Sequence, residues 1–187
     1  MGTIAPSISP ALAEWITRQH VFFVGTAPRN DAEHINVSPK GLDTFRVLGE
    51  NRVAYLDLTG SGVETIAHLR DNGRITVMLC AFEGPPRIVR LYGRGHAIEP
   101  GDPRFDEVAG RFDSFPGTRS CVVIDVNRVA DSCGYAVPLM SFAGDRDRLI
   151  EWAERKGADG LVAYRAQKNA TSIDGLPGLP GVAEVAP

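Results

Sequence analysis

Short runs of apolar and β-branched residues, separated by Gly, Pro and Asn, dominate this chain between residues 21 and 129. Such runs predict strands, and most of the connections between them are too short to hold a helix. A doubly wound sheet would need a helix between nearly every pair of strands, so the pattern favours an antiparallel barrel with helical decoration. The predicted strands are Val21–Thr26, Ile35–Ser38, Thr44–Leu48, Arg52–Leu58, Arg74–Phe82, Arg87–Ile98 and Cys121–Val129.

Helices are predicted before, between and after these strands, several with a start or stop signal. Ser9-Pro10 supplies an N-cap and a first helical position. Asn72-Gly73 supplies a C-terminal stop, and Gly157 ends a late amphipathic helix. The predicted helices are Pro10–Gln19, Val63–Asp71, Asp102–Phe112, Asp145–Lys156 and Leu161–Lys168.

The segment from Thr59 to Thr65, Thr-Gly-Ser-Gly-Val-Glu-Thr, joins a predicted strand to a predicted helix. Ser61 followed three residues later by Glu64 matches a capping box, which predicts a helix start near Gly62. A helix N-terminus has free N–H donors and the positive end of the helix dipole, so it suits a phosphate. Most capping boxes bind no ligand, and the segment matches neither the Walker pattern nor the complete dinucleotide fingerprint.

A second polar cluster, Asn36-Val37-Ser38-Pro39-Lys40-Gly41, precedes that loop by one predicted hairpin. Strand alternation places His34, Asn36 and Ser38 on one face and Val37 on the other. The Asn, Ser and Lys side chains offer donors and acceptors to a polar heteroaromatic ring or its attached chain. The alternative is an exposed edge strand with a solvated polar face. Taken with the loop, the cluster suggests a phosphate-bearing cofactor.

Size and composition predict a single domain over residues 1–187, with 43% hydrophobic and 23% charged residues. Its core spans about residues 18–130, followed by a C-terminal helical extension and a tail rich in Pro and Gly. The tail, residues 175–181, can form neither a helix nor a central strand. We expect it to be a disordered end or an extended arm on a partner subunit.

Charge and hydropathy limit the possible partners. A net charge of −3 argues against a general nucleic-acid binder, and no apolar run approaches the length of a membrane span. Cys80 and Cys121 lie in apolar runs, whereas Cys133 lies in a polar turn, and none has CxxC spacing. Since no secretion signal is evident either, a cytoplasmic location is expected.

The titratable residues show no catalytic or metal-binding pattern. His20, His34, His68 and His96 lack the spacing of metal ligands. No Ser/His/Asp arrangement or carboxylate pair can be identified from the sequence, so no hydrolase mechanism is favoured.

Five segments, in this order, resemble the pyridoxamine 5′-phosphate oxidase-like, FMN-binding split-barrel family. They are Phe22–Ala27, Asn36–Gly41, Val53–Gly62, Leu69–Ile75 and Arg87–Gly93. The resemblance extends over roughly residues 18–130, and the order of the segments is its specific part. It implies a mainly β protein with helical decoration, built on a six-stranded antiparallel split barrel. It also implies a homodimer with FMN at the subunit interface.

The same resemblance implies where the cofactor binds. Residues 36 to 40 would lie along the flavin ring and ribityl chain, and the loop after Leu58 would line the phosphate end. Arg87 would reach the cofactor from the same or the partner subunit. The implied cofactor-binding residues are Asn36, Val37, Ser38, Pro39, Lys40, Thr59, Gly60, Ser61, Gly62, Thr65 and Arg87.

The chain departs from the oxidase proper in two places. Where the oxidase has an Arg-Lys pair in its phosphate loop, this chain has Ser61-Gly62. Backbone donors, hydroxyl groups and Lys40 or Arg87 would then balance the phosphate charge. The oxidase's C-terminal substrate-binding pattern has no counterpart, so we expect the substrate pocket around Tyr135 and Met140 instead.

The resemblance implies an FMN-dependent oxidoreductase that transfers a hydride through the flavin for a small-molecule substrate. The flavin supplies the redox chemistry, so the sequence identifies no catalytic side chain. One alternative keeps the fold but binds the deazaflavin F420 or haem, with His96 or His34 as the axial ligand. The other is a non-enzymatic module that senses or carries the flavin.

Overall fold

The computed structural model describes residues 2–180, which form an antiparallel sheet flanked by helices. The strands are β1 (Thr3–Ala5), β2 (Phe22–Thr26), β3 (Asn36–Lys40), β4 (Phe45–Gly49), β5 (Arg52–Leu58), β6 (Arg74–Cys80), β7 (Ile88–Ile98) and β8 (Thr118–Ser132). The helices are α1 (Pro10–Thr17), α2 (Glu64–Asp71), α3 (Phe105–Ala109) and α4 (Arg148–Lys168).

The long strand β8 organises the sheet, whose order is β3-β2-β6-β7-β8-β5-β4. One edge of β8 pairs with β7 from Cys121 to Ser132. The other edge pairs with β5, where Asp125 faces Arg52, and then with β1, where Ala130 faces Ile4. Within residues 2–180 no ladder joins the end strands β3 and β4.

The predicted class, mainly antiparallel β with helical decoration, is confirmed, but residues 2–180 contain more strands than the seven predicted from the pattern or the six implied by the resemblance. The sheet has eight strands. Three-residue β1 is too short to show alternation, and it forms only because β8 offers it an edge. β8 runs beyond the predicted Cys121–Val129 because its neighbours β7 and β1 continue to pair with it.

Two groups of apolar side chains fill the space around the sheet. The larger group packs α1, through Leu12 and Ile16, against the sheet. The smaller group packs α3 against β5 and β8. Cys80 and Cys121 are buried and Cys133 is exposed, as the sequence predicts. None of the helices in residues 2–180 is both long and apolar enough to cross a membrane.

The helix ends test the local sequence signals individually. Ser9 caps α1 as predicted, since its Oγ accepts the N–H of Leu12 at 3.2 Å. The capping box predicted for α2 is wrong, because Val63 is the N-cap residue and no side chain caps the helix. The carboxylate of Glu64 instead accepts the backbone N–H of Ile173 at 3.3 Å.

The C-terminal extension consists of a kinked helix and a tail that folds back. Gly157, with φ 65°, separates two helical pieces of α4, as its predicted role requires. After α4, the chain turns back and buries Leu179 against Val63 and Ile66. Residues 175–180 therefore pack on their own chain, so the predicted disordered end is wrong for them, and the predicted arm on a partner subunit stays a prediction. Gly181 lies outside the described residues.

Candidate functional site

The loop after β5 is held in place by the start of β8. The backbone N–H and the Oγ1 of Thr59 both donate to the carbonyl of Gly117, at 2.8 and 2.7 Å. Thr59 is therefore buried and bonded to backbone. The chain then passes through Gly60, Ser61 and Gly62 into α2.

A cleft of about 870 Å³ lies between β3 and this loop. Its volume falls within the range of about 300–1,000 Å³ that is usual for small-molecule sites. The residues expected at the cofactor that line it are Asn36, Ser38, Pro39, Lys40, Gly60, Gly62 and Thr65. The fold thus brings together the polar cluster of β3 and the strand–helix loop.

Four of the expected residues do not line this cleft. Val37 points to the opposite face of β3 and is 66% exposed. Thr59 is buried behind the loop, and Ser61 is exposed on it. Arg87 lies at a second cleft.

Asn36 connects three elements at the inner rim of the cleft. Its Nδ2 donates to Thr26 Oγ1 at 3.2 Å and to Thr65 Oγ1 at 3.0 Å. Its Oδ1 accepts the hydroxyl of Ser38 at 3.0 Å. Thr26 Oγ1 lies 3.0 Å from His68 Nδ1, and burial lowers the pKa of this histidine. The network fixes β3 against β2 and α2, and it presents Ser38 to the cleft.

A buried cluster of charges forms one wall of the cleft. Lys40 Nζ donates to Asp57 Oδ1 at 2.8 Å, and Arg119 Nε donates to Asp57 Oδ2 at 2.7 Å. The Asp57 side chain is fully buried and that of Arg119 is 5% exposed. Burial alone would raise the pKa of Asp57, but the charges of Lys40 and Arg119 hold it below its ordinary value. One carboxylate thus faces two cations, so the cluster carries an excess positive charge.

The C-terminal extension reaches the same wall through Asn169. Asn169 Oδ1 accepts from Arg119 Nη1 at 2.9 Å, and its Nδ2 donates to the carbonyl of Gly60 at 2.9 Å. Sequence reasoning missed Asp57, Arg119 and Asn169. A signal was available for Asp57, since a carboxylate inside an apolar strand indicates a paired buried charge.

The second cleft, of about 810 Å³, lies between the end of α1, the turn before β7 and residues 140–142. Here Arg87 forms an ion pair with Asp131 at 2.5 Å, and its guanidinium lies 4.9 Å from the centre of the Trp15 ring. Within this chain Arg87 therefore does not join the residues around the first cleft. Met140 lines the second cleft, whereas Tyr135 is outside its lining and is 84% exposed.

The two clefts are neighbours. Val21 lines both, and the segment from Met140 to Leu149 contributes residues to each. The ring of His20 stacks on that of Phe142 at 3.6 Å beside the second cleft. Within residues 2–180, no three His, Cys, Asp or Glu side chains are grouped so that they could hold a metal ion.

An antiparallel sheet flanked by helices, with a polar cleft beside a strand–helix loop, is the arrangement expected of a split-barrel protein. Comparison with known proteins supports this class. The family model described as pyridoxamine 5′-phosphate oxidase matches residues 8–133. The pyridoxamine 5′-phosphate oxidase family protein ustO of Aspergillus flavus is 45% identical over 190 residues, covering 92% of this chain and 76% of that protein. The chain belongs to the pyridoxamine 5′-phosphate oxidase family.

Solved structures share the fold at low identity. HupZ of Group A Streptococcus is 20% identical with a TM-score of 0.50, covering 65% of this chain and 91% of that one. A candidate pyridoxamine 5′-phosphate oxidase of Lactobacillus delbrueckii is 15% identical with a TM-score of 0.51, covering 67% of this chain and 94% of that one. These similarities establish the split-barrel fold alone.

Proposed function

We propose that this chain is a flavin-dependent oxidoreductase that binds FMN in the cleft between β3 and the β5–α2 loop. The observation that carries the proposal is the convergence of three features on one cleft. These are the polar face of β3, a strand–helix loop and a buried charge cluster with excess positive charge. Membership of the pyridoxamine 5′-phosphate oxidase family supports a flavin as the ligand.

The donor set of the cleft fits the chemistry of FMN. A flavin ring and its ribityl chain offer hydrogen-bond donors and acceptors, which Ser38 and Lys40 can meet from β3. A phosphate group carries a charge of about −1.5 to −2 at neutral pH. Gly60, Gly62 and Thr65 at the start of α2 would hold it, since first-turn N–H groups lack partners inside the helix.

The bound flavin would supply hydride transfer, and the chain would bind and orient it. The wall of Lys40, Asp57 and Arg119 places two cations and one carboxylate beside the cleft. Thr65 and Ser38 are held in place through Asn36, so their hydroxyl groups are fixed before a ligand arrives.

For the substrate we propose the second cleft, because it adjoins the first and has a largely apolar lining that includes Trp15, Phe82 and Phe142. Trp15 makes ligand entry measurable. We expect an aromatic ligand to quench the fluorescence of this tryptophan, and Trp15→Phe to abolish that quenching. Quenching that persists in Trp15→Phe would place the ligand elsewhere.

We also propose a homodimer. Exposed apolar side chains support it, because clusters of this kind mark interaction surfaces. They are Ile35 just before β3, Val37 within β3, and Tyr135, Leu139, Met140 and Phe142 in the segment after β8. Sedimentation equilibrium tests it, and a monomer at micromolar concentration would contradict it.

The experiment that tests the function begins with the protein as purified. We expect a yellow protein with a flavin absorbance spectrum, and release of FMN on denaturation, identified by chromatography. Colourless protein that takes up no added FMN would contradict the proposal. Titration with F420 and inspection for a Soret band test the two alternative ligands.

Catalysis is tested separately on the loaded protein. We expect NADH or NADPH to bleach the flavin absorbance without oxygen, and oxygen or a quinone to restore it over many turnovers. A flavin that remains oxidised with both nucleotides would favour the non-enzymatic module instead.

A further inference from the structure

The wall of the cleft around Arg119 contains more positive than negative side chains. Lys40 and Arg119 share the single buried carboxylate of Asp57, so one positive charge at this wall has no counter-charge there. A third cation, Arg165, is close enough that burial together with the charge of Arg119 lowers its pKa. Two acidic side chains and one further cation line other parts of the cleft: Glu64, which accepts the N–H of Ile173, and Asp145 and Arg146 on an exposed segment. Uncompensated charge is costly to bury, so the wall favours an anionic ligand.

The guanidinium group of Arg119 is fixed by hydrogen bonds at two of its three nitrogen atoms. Nε is fixed by Asp57, and Nη1 by Asn169 Oδ1. Among the described residues Nη2 donates no hydrogen bond, although Arg119 lines the cleft. A planar guanidinium fixed on two sides is pre-organised, which reduces the entropy cost of binding with its remaining donors.

Asn169 fixes Arg119 and the loop at the same time. Its side chain is fully buried at the end of α4. While Oδ1 accepts from Arg119, Nδ2 donates to the carbonyls of Gly60 and Ser61, at 2.9 and 3.4 Å. The amide thus sets the spacing between the cation and the strand–helix loop. It lies well beyond residues 8–133, which the family model matches.

We propose that Arg119 binds the phosphate group of the cofactor directly and that Asn169 is a positioning residue for it. The cleft then selects a phosphorylated flavin over the same flavin without phosphate. This inference rests on the proposed function, and it adds a residue from β8 and one from the C-terminal extension to the site.

The test compares FMN with riboflavin, which lacks the phosphate, by fluorescence titration of the full chain. We expect the wild-type protein to prefer FMN. A charge-assisted hydrogen bond corresponds to a factor of about ten or more in affinity. Arg119→Gln should therefore weaken FMN binding about tenfold or more and leave riboflavin binding unchanged, and Arg119→Lys should restore part of the loss. Arg128→Gln, at an exposed position on the same strand, is the matched control.

Asn169→Ala tests positioning. We expect it to lower the ratio of FMN to riboflavin affinity, because Arg119 loses its second support. A purely structural role would lower both affinities together and leave the ratio unchanged. If the variants do not fold, inorganic phosphate gives an independent measurement on the wild-type chain, since it should compete with FMN and not with riboflavin.

The outcomes separate the two proposals. A wild-type chain that binds FMN and riboflavin equally well overturns this inference and leaves flavin binding intact. An Arg119→Gln variant that is folded and keeps the wild-type ratio overturns it too. A wild-type chain that binds neither flavin overturns the proposed function and this inference with it.

Discussion

Replacing Asp57 by asparagine removes the carboxylate that Lys40 and Arg119 share. The substitution keeps the size and shape of the side chain and removes its charge. The Asp57 side chain is fully buried, and its two ion pairs measure 2.8 and 2.7 Å. In Asp57→Asn one cation would face the amide oxygen and the other the NH2 group, which cannot accept its hydrogen bond, and neither charge would be neutralised.

The expected loss follows from the burial of the pair. Removing one partner of a buried ion pair costs about 3–5 kcal/mol, because the remaining charge stays buried without compensation. For a chain of this size each kcal/mol lowers Tm by about 2–4 °C, so we expect a decrease of roughly 6–20 °C. Lys40 is 22% exposed and can turn toward water, which favours the lower half of the range.

Thermal and urea unfolding of the ligand-free protein, followed by circular dichroism, measure the loss. Asp125→Asn is the matched control, because Asp125 also lies on a strand and pairs with an arginine, Arg52. That pair is about half exposed on both sides, at 58% and 53%, so its loss should cost less than about 1 kcal/mol. Equal losses in the two variants would refute the buried-charge reasoning.

The pH dependence gives a second measurement of the same carboxylate. The pKa of Asp57 is below its ordinary value in the folded chain. Its contribution to stability is therefore present above the unfolded value of about 3.9 and is lost as the pH falls through the lower folded value. The stability difference between wild type and Asp57→Asn should shrink in that acid range. A difference that grows on acidification would contradict the sign.

Three further predictions concern the tail and the loop. The hydrogen bond between His34 and Asp174 raises the pKa of His34 and lowers that of Asp174, so this contact stabilises the tail between about pH 4 and 6.5 and weakens as the pH rises through the folded pKa of His34. Hydrogen exchange of residues 170–178, corrected for intrinsic rates, should be faster at pH 8 than at pH 6, and His34→Gln should remove that difference. Gly178→Ala would place a Cβ against the backbone carbonyl oxygen of Asn169 and 2.8 Å from Val63 Cγ1, so we expect a loss of about 3 kcal/mol, the upper part of the usual range for overpacking, and faster proteolysis of the tail. Gly49→Ala, whose Cβ would meet nothing within 4 Å, is its control, and equal effects would contradict the packing argument. Ser61→Asp should weaken FMN binding through like-charge repulsion without unfolding α2, because Ser61 does not cap that helix. Unchanged FMN affinity beside a Ser61→Asn control would move the phosphate site elsewhere.

Local pattern was enough to predict most of the sheet. Alternation located β2 to β8 to within a few residues, and it placed Asn36 and Ser38 on one face of β3, where both line the cleft. These features depend on the period of a single strand, which the sequence contains in full. The order of the strands in the sheet was not predicted, because it depends on pairing between distant segments, which the period of a single strand does not contain.

The charged wall of the cleft could not be predicted in the same way. Arg119 and Asn169 are separated by 50 positions, and Asn169 lies after a helix whose packing no local signal specifies. The capping box failed for a related reason. Glu64 has the correct spacing from Ser61, but the folded-back tail offers its carboxylate a different donor, the N–H of Ile173. A tertiary contact outcompeted the local one.

The tail and the strand–helix loop form one structural unit, which has a consequence for ligand binding. Asn169 holds the carbonyls of Gly60 and Ser61, Leu179 packs on Val63, and Arg70 donates to the carbonyl of Gly178. A ligand that binds the folded loop and not an opened one must stabilise the tail as well, by an amount set by its concentration relative to its Kd. A variant that opens the tail lowers the fraction of chains with a folded loop, so it must weaken the apparent affinity for the ligand by that fraction. The C-terminal extension therefore lies beside the cleft, and its folding is thermodynamically coupled to ligand binding there.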